Sequence, residues 1–172
     1  VSKIYGQVIA VNNLSLQVAH GAYCCLLGPS CCGLTTMLRL IAGHETVSGG
    51  RIFIEQQEVT SLPPPKRPTV LLAQPTMLVP QMTLIDNVAL GLKGREMERA
   101  PRQRLALAVL EKVGLAGYRD RLVGRLSTAQ RQLAALAQGL ITQPAVVLLD
   151  DPLANLERIV RLQLRGEFRL IQ

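Results

Sequence analysis

Apolar positions alternate with polar ones early in the chain, at Val8, Ala10 and Val11 and again at Leu14, Leu16 and Val18. That period predicts short antiparallel strands. Gly21 interrupts the pattern, and residues 23–27 are then continuously apolar, as a strand covered on both faces would be. A loop with two glycines follows, and residues 35–42 read as a helix ended by Gly43. Residues 51–55 predict a strand after the Gly49-Gly50 turn, and Pro63, Pro64, Pro65 and Pro68 form a stiff connector into a strand at 70–74. Helical patterns dominate residues 84–142. The clearest starts at Pro101, with Leu105, Val109 and Val113 as an apolar stripe flanked by Ala106 and Leu110. Residues 145–149 are a second strand of the buried type, running into Asp150-Asp151-Pro152, and Leu156, Val160, Leu164 and Phe168 mark a last helix. The predicted fold class is α/β, with a small antiparallel β portion. Residues 1–75 and 143–172 form the core, and 76–142 an inserted helical subdomain.

Composition narrows this picture. Of the 172 residues 48% are hydrophobic but only 3% aromatic, with no Trp, so the core must pack with aliphatic side chains. The cysteines are two adjacent pairs, Cys24-Cys25 and Cys31-Cys32, which close no useful loop; a reducing setting is expected. Cys24 and Cys25 fall in the predicted buried strand and read as core residues. No apolar run reaches the ~18 residues of a membrane span, and no cleavable signal segment is expected. The net charge of +7 comes mainly from arginine, with Arg99, Arg102, Arg104, Arg119, Arg121, Arg125 and Arg131 in one stretch. For want of interleaved aromatics this reads as a solvated helical face, and no nucleic-acid partner is expected.

Candidate chemistry sits where strands meet loops. Gly28 and Gly33 enclose four residues between a buried-type strand and a helix, matching G-x-x-x-x-G-K-[ST] except at the lysine, which is Leu34. Such glycines let the backbone close round a phosphate, whose charge the helix N-terminus favours. The Thr35 hydroxyl is then a candidate Mg²⁺ ligand. The same spacing also occurs in ordinary turns that open helices. Asp150 stands at the carboxyl end of an apolar strand, where α/β sheets bind ligands and organise Mg²⁺; Asp151 beside it is a candidate base for an attacking water. Either aspartate alone also reads as a cap before Pro152.

Taken together, these segments resemble the ATP-binding subunits of ABC importers, the group serving sugars, polyamines, sulfate and iron. The similarity covers nearly the whole chain. Residues Gly28, Pro29, Ser30, Cys31, Cys32, Gly33, Leu34, Thr35 and Thr36 resemble the family's GPSGCGKTT. Tyr5 stands where the family has an aromatic that stacks on adenine. Gln74 resembles the glutamine that joins Mg²⁺ to the transmembrane contact. Leu126 to Gln132 resembles LSGGQRQ, with Ser127 and Gln130 retained, and Asp150-Asp151 resembles the Asp-Glu pair. Residues 154–157 resemble the loop that crosses the dimer interface. The resemblance implies a P-loop NTPase core, ATP and Mg²⁺ as cofactors, and Asp151 and Gln74 as catalytic residues. Thr35, Gln74 and Asp150 would be the metal ligands. It implies transmembrane permease subunits, a second nucleotide-binding subunit and, indirectly, a solute-binding protein as partners, at the inner face of the cell membrane. The PPPKRPTVLLAQ stretch is most similar to polyamine- and iron-type members.

The chain departs from the family pattern at positions that all bear on hydrolysis. Leu34 removes an ammonium whose phosphate contact is worth ~1.5–3 kcal/mol. Cys31 replaces a glycine and strains the loop if its φ is positive. Thr128 and Ala129 replace the signature glycines, and Asp151 is one methylene shorter than glutamate. The family's switch histidine has no counterpart, since only His20 and His44 occur, and both ends read as clipped relative to the family. Weak hydrolysis by the chain alone is expected, with a non-catalytic nucleotide-binding subunit or an inactive truncated product as alternatives. Thiol chemistry at Cys31-Cys32, just ahead of a helix, is a further reading.

Overall fold

The computed structural model describes residues 1–73, 77–94 and 96–152. They form two compact units, Val1–Leu71 with Ala145–Asp150, and Leu72–Pro144 with Asp151 and Pro152. Gln74, residues 154–157 and the predicted last helix lie outside the described residues.

The first unit begins with a hairpin of β1 (Lys3–Tyr5) and β2 (Val8–Val11), antiparallel, with Ile4 opposite Ile9 and Tyr5 opposite Val8. Gly6, at φ 58, turns the corner. Helix α1 (Leu34–Ala42) follows the glycine loop and buries Met37, Leu40 and Ala42. Its end is set by Gly43, at φ 83, whose N–H returns to the last turn, the left-handed cap that glycine adopts without steric cost. A second hairpin pairs β3 (Phe53–Ile54) with β4 (Gln57–Glu58) across Glu55 and Gln56, both at positive φ. Strand β5 (Thr69–Leu72) is hydrogen-bonded to β6 (Val146–Leu149). Val11, Met37, Leu40, Ile52, Ile54 and Val59 form the core, with Leu26 and Val146 packed against it.

Two predicted strands do not form. Leu14 exchanges hydrogen bonds with Val1 at both its N–H and its carbonyl, and Leu16 and Val18 are each 48% exposed, so 14–18 joins no ladder among the described residues. Residues 23–27 likewise enter no sheet: Leu26 reaches the core, but Tyr23 and Leu27 are exposed. A continuous apolar run becomes a strand only where neighbours supply ladder partners and cover both faces, and here β5 and β6 pair with each other. Cys24 and Cys25 are therefore exposed, not core, and all four cysteines are free.

In the second unit, α2 (Leu84–Ala89), α3 (Arg99–Lys112) and α4 (Thr128–Leu140) pack on one another. Thr83 caps α2 by accepting the N–H of Asp86. Asn87, fully buried, accepts from the N–H of Val79 and donates to the carbonyls of Val79, Met82 and Thr83, which fixes the turn ahead of α2. The predicted stripe of α3 forms but is centred nearer its flanking residues. Ala106, Leu110 and Val113 are buried, while Leu105 is 42% exposed. Leu105 and Val109 instead line a groove of about 270 Å³ with Leu140 and Ile141. An aromatic does stand within the arginine-rich stretch: Arg121 lies 5.1 Å over the ring of Tyr118. Among the described residues no helix is long and apolar enough to cross a membrane.

Candidate functional site

The glycine loop is shaped by close approaches. Gly33, at φ 91, sits so near the carbonyl of Ala10 in β2 that a Cβ there would collide with it. A Cβ on Gly28 would meet the Cys32 sulfur at 2.5 Å. Gly33, with a positive φ and backbone against it, admits no side chain, whereas a Cβ at Gly28 would require the exposed Cys32 side chain to turn away. Cys31 takes φ 63, the left-handed region that a side chain enters at a cost of ~1–2 kcal/mol. The Cys32 N–H donates to the Pro29 carbonyl at 3.2 Å, a tight turn ahead of α1. Pro29, Ser30, Cys31 and Cys32 are exposed, and Leu34 and Thr36 half-buried.

At the start of α1 the chain brings two oxygens together. The Thr35 hydroxyl donates to Oδ1 of Asp150 at 3.0 Å. Asp150 follows β6 directly, and α1 packs against that strand. Gly33 has no side chain to cap α1, and no acidic residue stands in its first turn. The helix therefore keeps its N-terminal positive potential for an anion. One hydroxyl and one carboxylate are hard oxygen donors that suit Mg²⁺, which retains waters and takes its remaining ligands from phosphates. The glycine cradle and this pair fit Mg²⁺ and phosphate. Leu34 supplies no charge, and its side chain turns toward Gly28, 3.8 Å from where a Cβ would stand there.

The sequence-predicted site residues Asp151, Ser127 and Gln130 belong to the second unit. Asp151 is exposed, at φ 45. Ser127 and Gln130 form a reciprocal capping box on α4: the Ser127 hydroxyl accepts the Gln130 N–H at 3.2 Å, and the Gln130 side chain accepts the Ser127 N–H at 2.9 Å. Thr128 accepts from Arg131, whose guanidinium also donates to the Leu126 carbonyl.

Sequence reasoning passed over two groups around α1. Arg67 is buried and donates to the carbonyls of Leu40 and Ile41 at the end of α1, and to those of Thr60 and Leu62. Burial pushes its guanidinium below the ordinary value. Nothing in its proline-rich setting signals this role. The second group is Lys3 with Glu45, beside Tyr5. Lys3 stands two positions before Tyr5 on one strand, and that alternation was the available signal.

The profile of the ABC transporter family matches residues 11–154. The chain belongs to that family. Among curated relatives, it is 40% identical over 172 residues to the Fe(3+) ions import ATP-binding protein FbpC of Pasteurella multocida, covering 100% of this chain and 49% of that one. It is also 40% identical over 169 residues to the spermidine/putrescine import ATP-binding protein PotA of Bacteroides fragilis, covering 98% of this chain and 37% of that one. The chain thus spans about half the length, or less, of these relatives. A solved ATP-binding cassette of an ABC transporter superposes with a TM-score of 0.85 at 22% identity, covering 98% of this chain and 73% of that one. The same cassette in its ADP conformation gives 0.84 at 22% identity, over 96% and 72%. The ABC family member is therefore an α/β protein with the P-loop NTPase fold.

Proposed function

We propose that this ABC family chain is the nucleotide-binding part of an importer's ATPase subunit. It would couple binding and hydrolysis of Mg-ATP to solute movement through separate transmembrane permease subunits. The observation that carries the reading is the Thr35–Asp150 pair at the start of α1, beside a loop in which Gly33 leaves no room for a Cβ. The amides at the head of α1 would orient phosphate, the Thr35 hydroxyl and Asp150 carboxylate would hold Mg²⁺, and Tyr5 would stack on the base. Mg²⁺, when bound, screens phosphate charge. Asp151 would accept a proton from the attacking water, and Gln74 would be the further metal ligand, facing the membrane partner. Ser127 and Gln130 serve the nucleotide of a paired subunit. The site works at the inner face of the membrane, with a solute-binding protein delivering cargo. The similarity to iron and spermidine/putrescine import proteins supports iron or a polyamine as cargo class.

A second reading is favoured by one residue. Leu34, where a lysine would neutralise phosphate, supports a non-catalytic nucleotide-binding subunit whose partner hydrolyses ATP. Mg-ATP binding and turnover, measured on the chain and on Leu34→Lys combined with Thr128→Gly, Ala129→Gly and Asp151→Glu, decide between them. Turnover by the unaltered chain supports the first. Binding without turnover, with activity restored in the quadruple variant, supports the second. No saturable Mg-ATP binding at millimolar concentration by either protein would sink both.

A further inference from the structure

One face of the Tyr5 ring is already occupied. The Lys3 ammonium lies 4.6 Å from the ring centroid, donates to the Thr46 carbonyl at 2.8 Å and pairs with Glu45 at 3.1 Å. The Lys3 side chain is only 10% exposed, so this cation is held almost dry by a carbonyl, a carboxylate and a π face. Tyr5 itself is 42% exposed. We infer that Lys3 and Glu45 are positioning residues for Tyr5: together they fix one face of the ring and leave the other open to a nucleotide base. The inference rests on the nucleotide-binding reading above and extends it to two side chains that do not touch ligand.

The support is physical. A cation is drawn to the negative face of an aromatic ring, and more strongly when water is excluded. Held there, it draws π density toward itself and leaves the opposite face less negative, which suits stacking by an electron-rich purine. The hydrogen bond from Lys3, against the opposing effect of burial, is the largest cause holding Glu45 below the usual carboxylate range. Glu45 thus stays charged and holds the Lys3 ammonium in place over the ring. The backbone repeats the attachment: Ser2 donates to the Gly49 carbonyl at 2.8 Å, Ser48 to the Ser2 carbonyl at 2.9 Å, and the Ile4 N–H to the Ser48 hydroxyl at 3.0 Å. Residues 45–49 follow α1, whose other end begins the phosphate cradle. One short stretch therefore joins the place for the base to the place for the phosphates.

The test compares binding of Mg-ATP with Mg-tripolyphosphate, which has no base, by calorimetry on the unaltered chain, Tyr5→Leu, Lys3→Met, Lys3→Arg and Glu45→Gln. Base stacking predicts that the unaltered chain prefers ATP by about tenfold. Tyr5→Leu should remove that preference and Lys3→Met should reduce it to about threefold or less. Lys3→Arg, which also lies over aromatic faces, should retain most of it. Glu45→Gln should fall between, and tripolyphosphate affinity should not change in any variant. If Lys3→Met does not fold, by thermal melting, Glu45→Gln carries the decision. An ATP preference unchanged in Lys3→Met or Glu45→Gln overturns this inference and leaves the nucleotide reading intact, whereas equal binding of both ligands by the unaltered chain overturns it together with base stacking by Tyr5. Binding of neither ligand overturns both.

Discussion

The Thr35 hydroxyl donates a 3.0 Å hydrogen bond to Asp150, joining the first turn of α1 to the end of β6 across 115 positions of chain. Either oxygen alone is an ordinary surface group. Paired, they offer a divalent cation two hard donors at a point where the helix also favours an anion. Thr35→Val and Asp150→Asn should each weaken Mg-ATP binding by about tenfold or more, while binding of ATP in EDTA changes far less. Titrations with and without Mg²⁺ check this. Equal losses in both conditions would mean that the pair only supports the loop.

The two left-handed positions of the loop should respond in opposite senses. Gly33→Ala meets both a positive φ and the Ala10 carbonyl, and should destabilise by about 2–4 kcal/mol. Cys31→Gly relieves φ 63 and should be neutral or stabilising, by up to about 1 kcal/mol. Urea unfolding of both variants measures the contrast.

Arg67 closes the far end of the same helix. Its guanidinium satisfies four backbone carbonyls from a buried position, and Gly43 leaves it room, since a Cβ there would come within 2.5 Å of its Nε. Arg67→Met strands those acceptors and should cost about 3 kcal/mol; Arg67→Lys, lacking the planar fork, should recover less than half. Denaturant midpoints decide, and a loss under about 1 kcal/mol would show that water replaces the guanidinium freely.

Asp86 sets an acid limit on the helical unit. Burial raises its pKa, but hydrogen bonds from Gln103, Thr83 and Arg99 outweigh that and hold it below the usual carboxylate range. A carboxylate whose folded value lies below its unfolded one stabilises the fold above the unfolded value, near 4, and ceases to as pH falls through the folded value. Melting temperature should therefore hold near neutral pH and decline below about pH 5. Asp86→Asn should melt lower at pH 7 and show a shallower decline. Parallel curves for the two proteins would refute the assignment.

What could be read in advance was local. Helix 35–42, its Gly43 cap and the left-handed strain at Cys31 depend on neighbours within a few positions, and the structure has all three. Family membership was equally legible, because several imperfect motifs in fixed order specify more than any single one. Pairing was not. The apolar run 23–27 states a need for cover without naming what covers it, and it joins no sheet here. The stripe on α3 was legible in Ala106, Leu110 and Val113 but not at its edge, because Ala106 and Leu105 are adjacent and only the packing of α2 and α4 chooses between them. Lys3 and Arg67 were missed for a related reason: a charged residue looks solvated until its distant partners are known.

Helices α2 and α4 open with side-chain caps, from Thr83 and Ser127, whereas α1 opens on glycine. A helix start without such a cap gains more from a bound anion than one already satisfied, and whatever binds the folded chain alone raises its stability, increasingly as its concentration exceeds its Kd. Buffer choice thus becomes a probe of the loop. In phosphate or sulfate the first unit should melt higher than in chloride at equal ionic strength, and Asp substituted at Cys31 should abolish the difference.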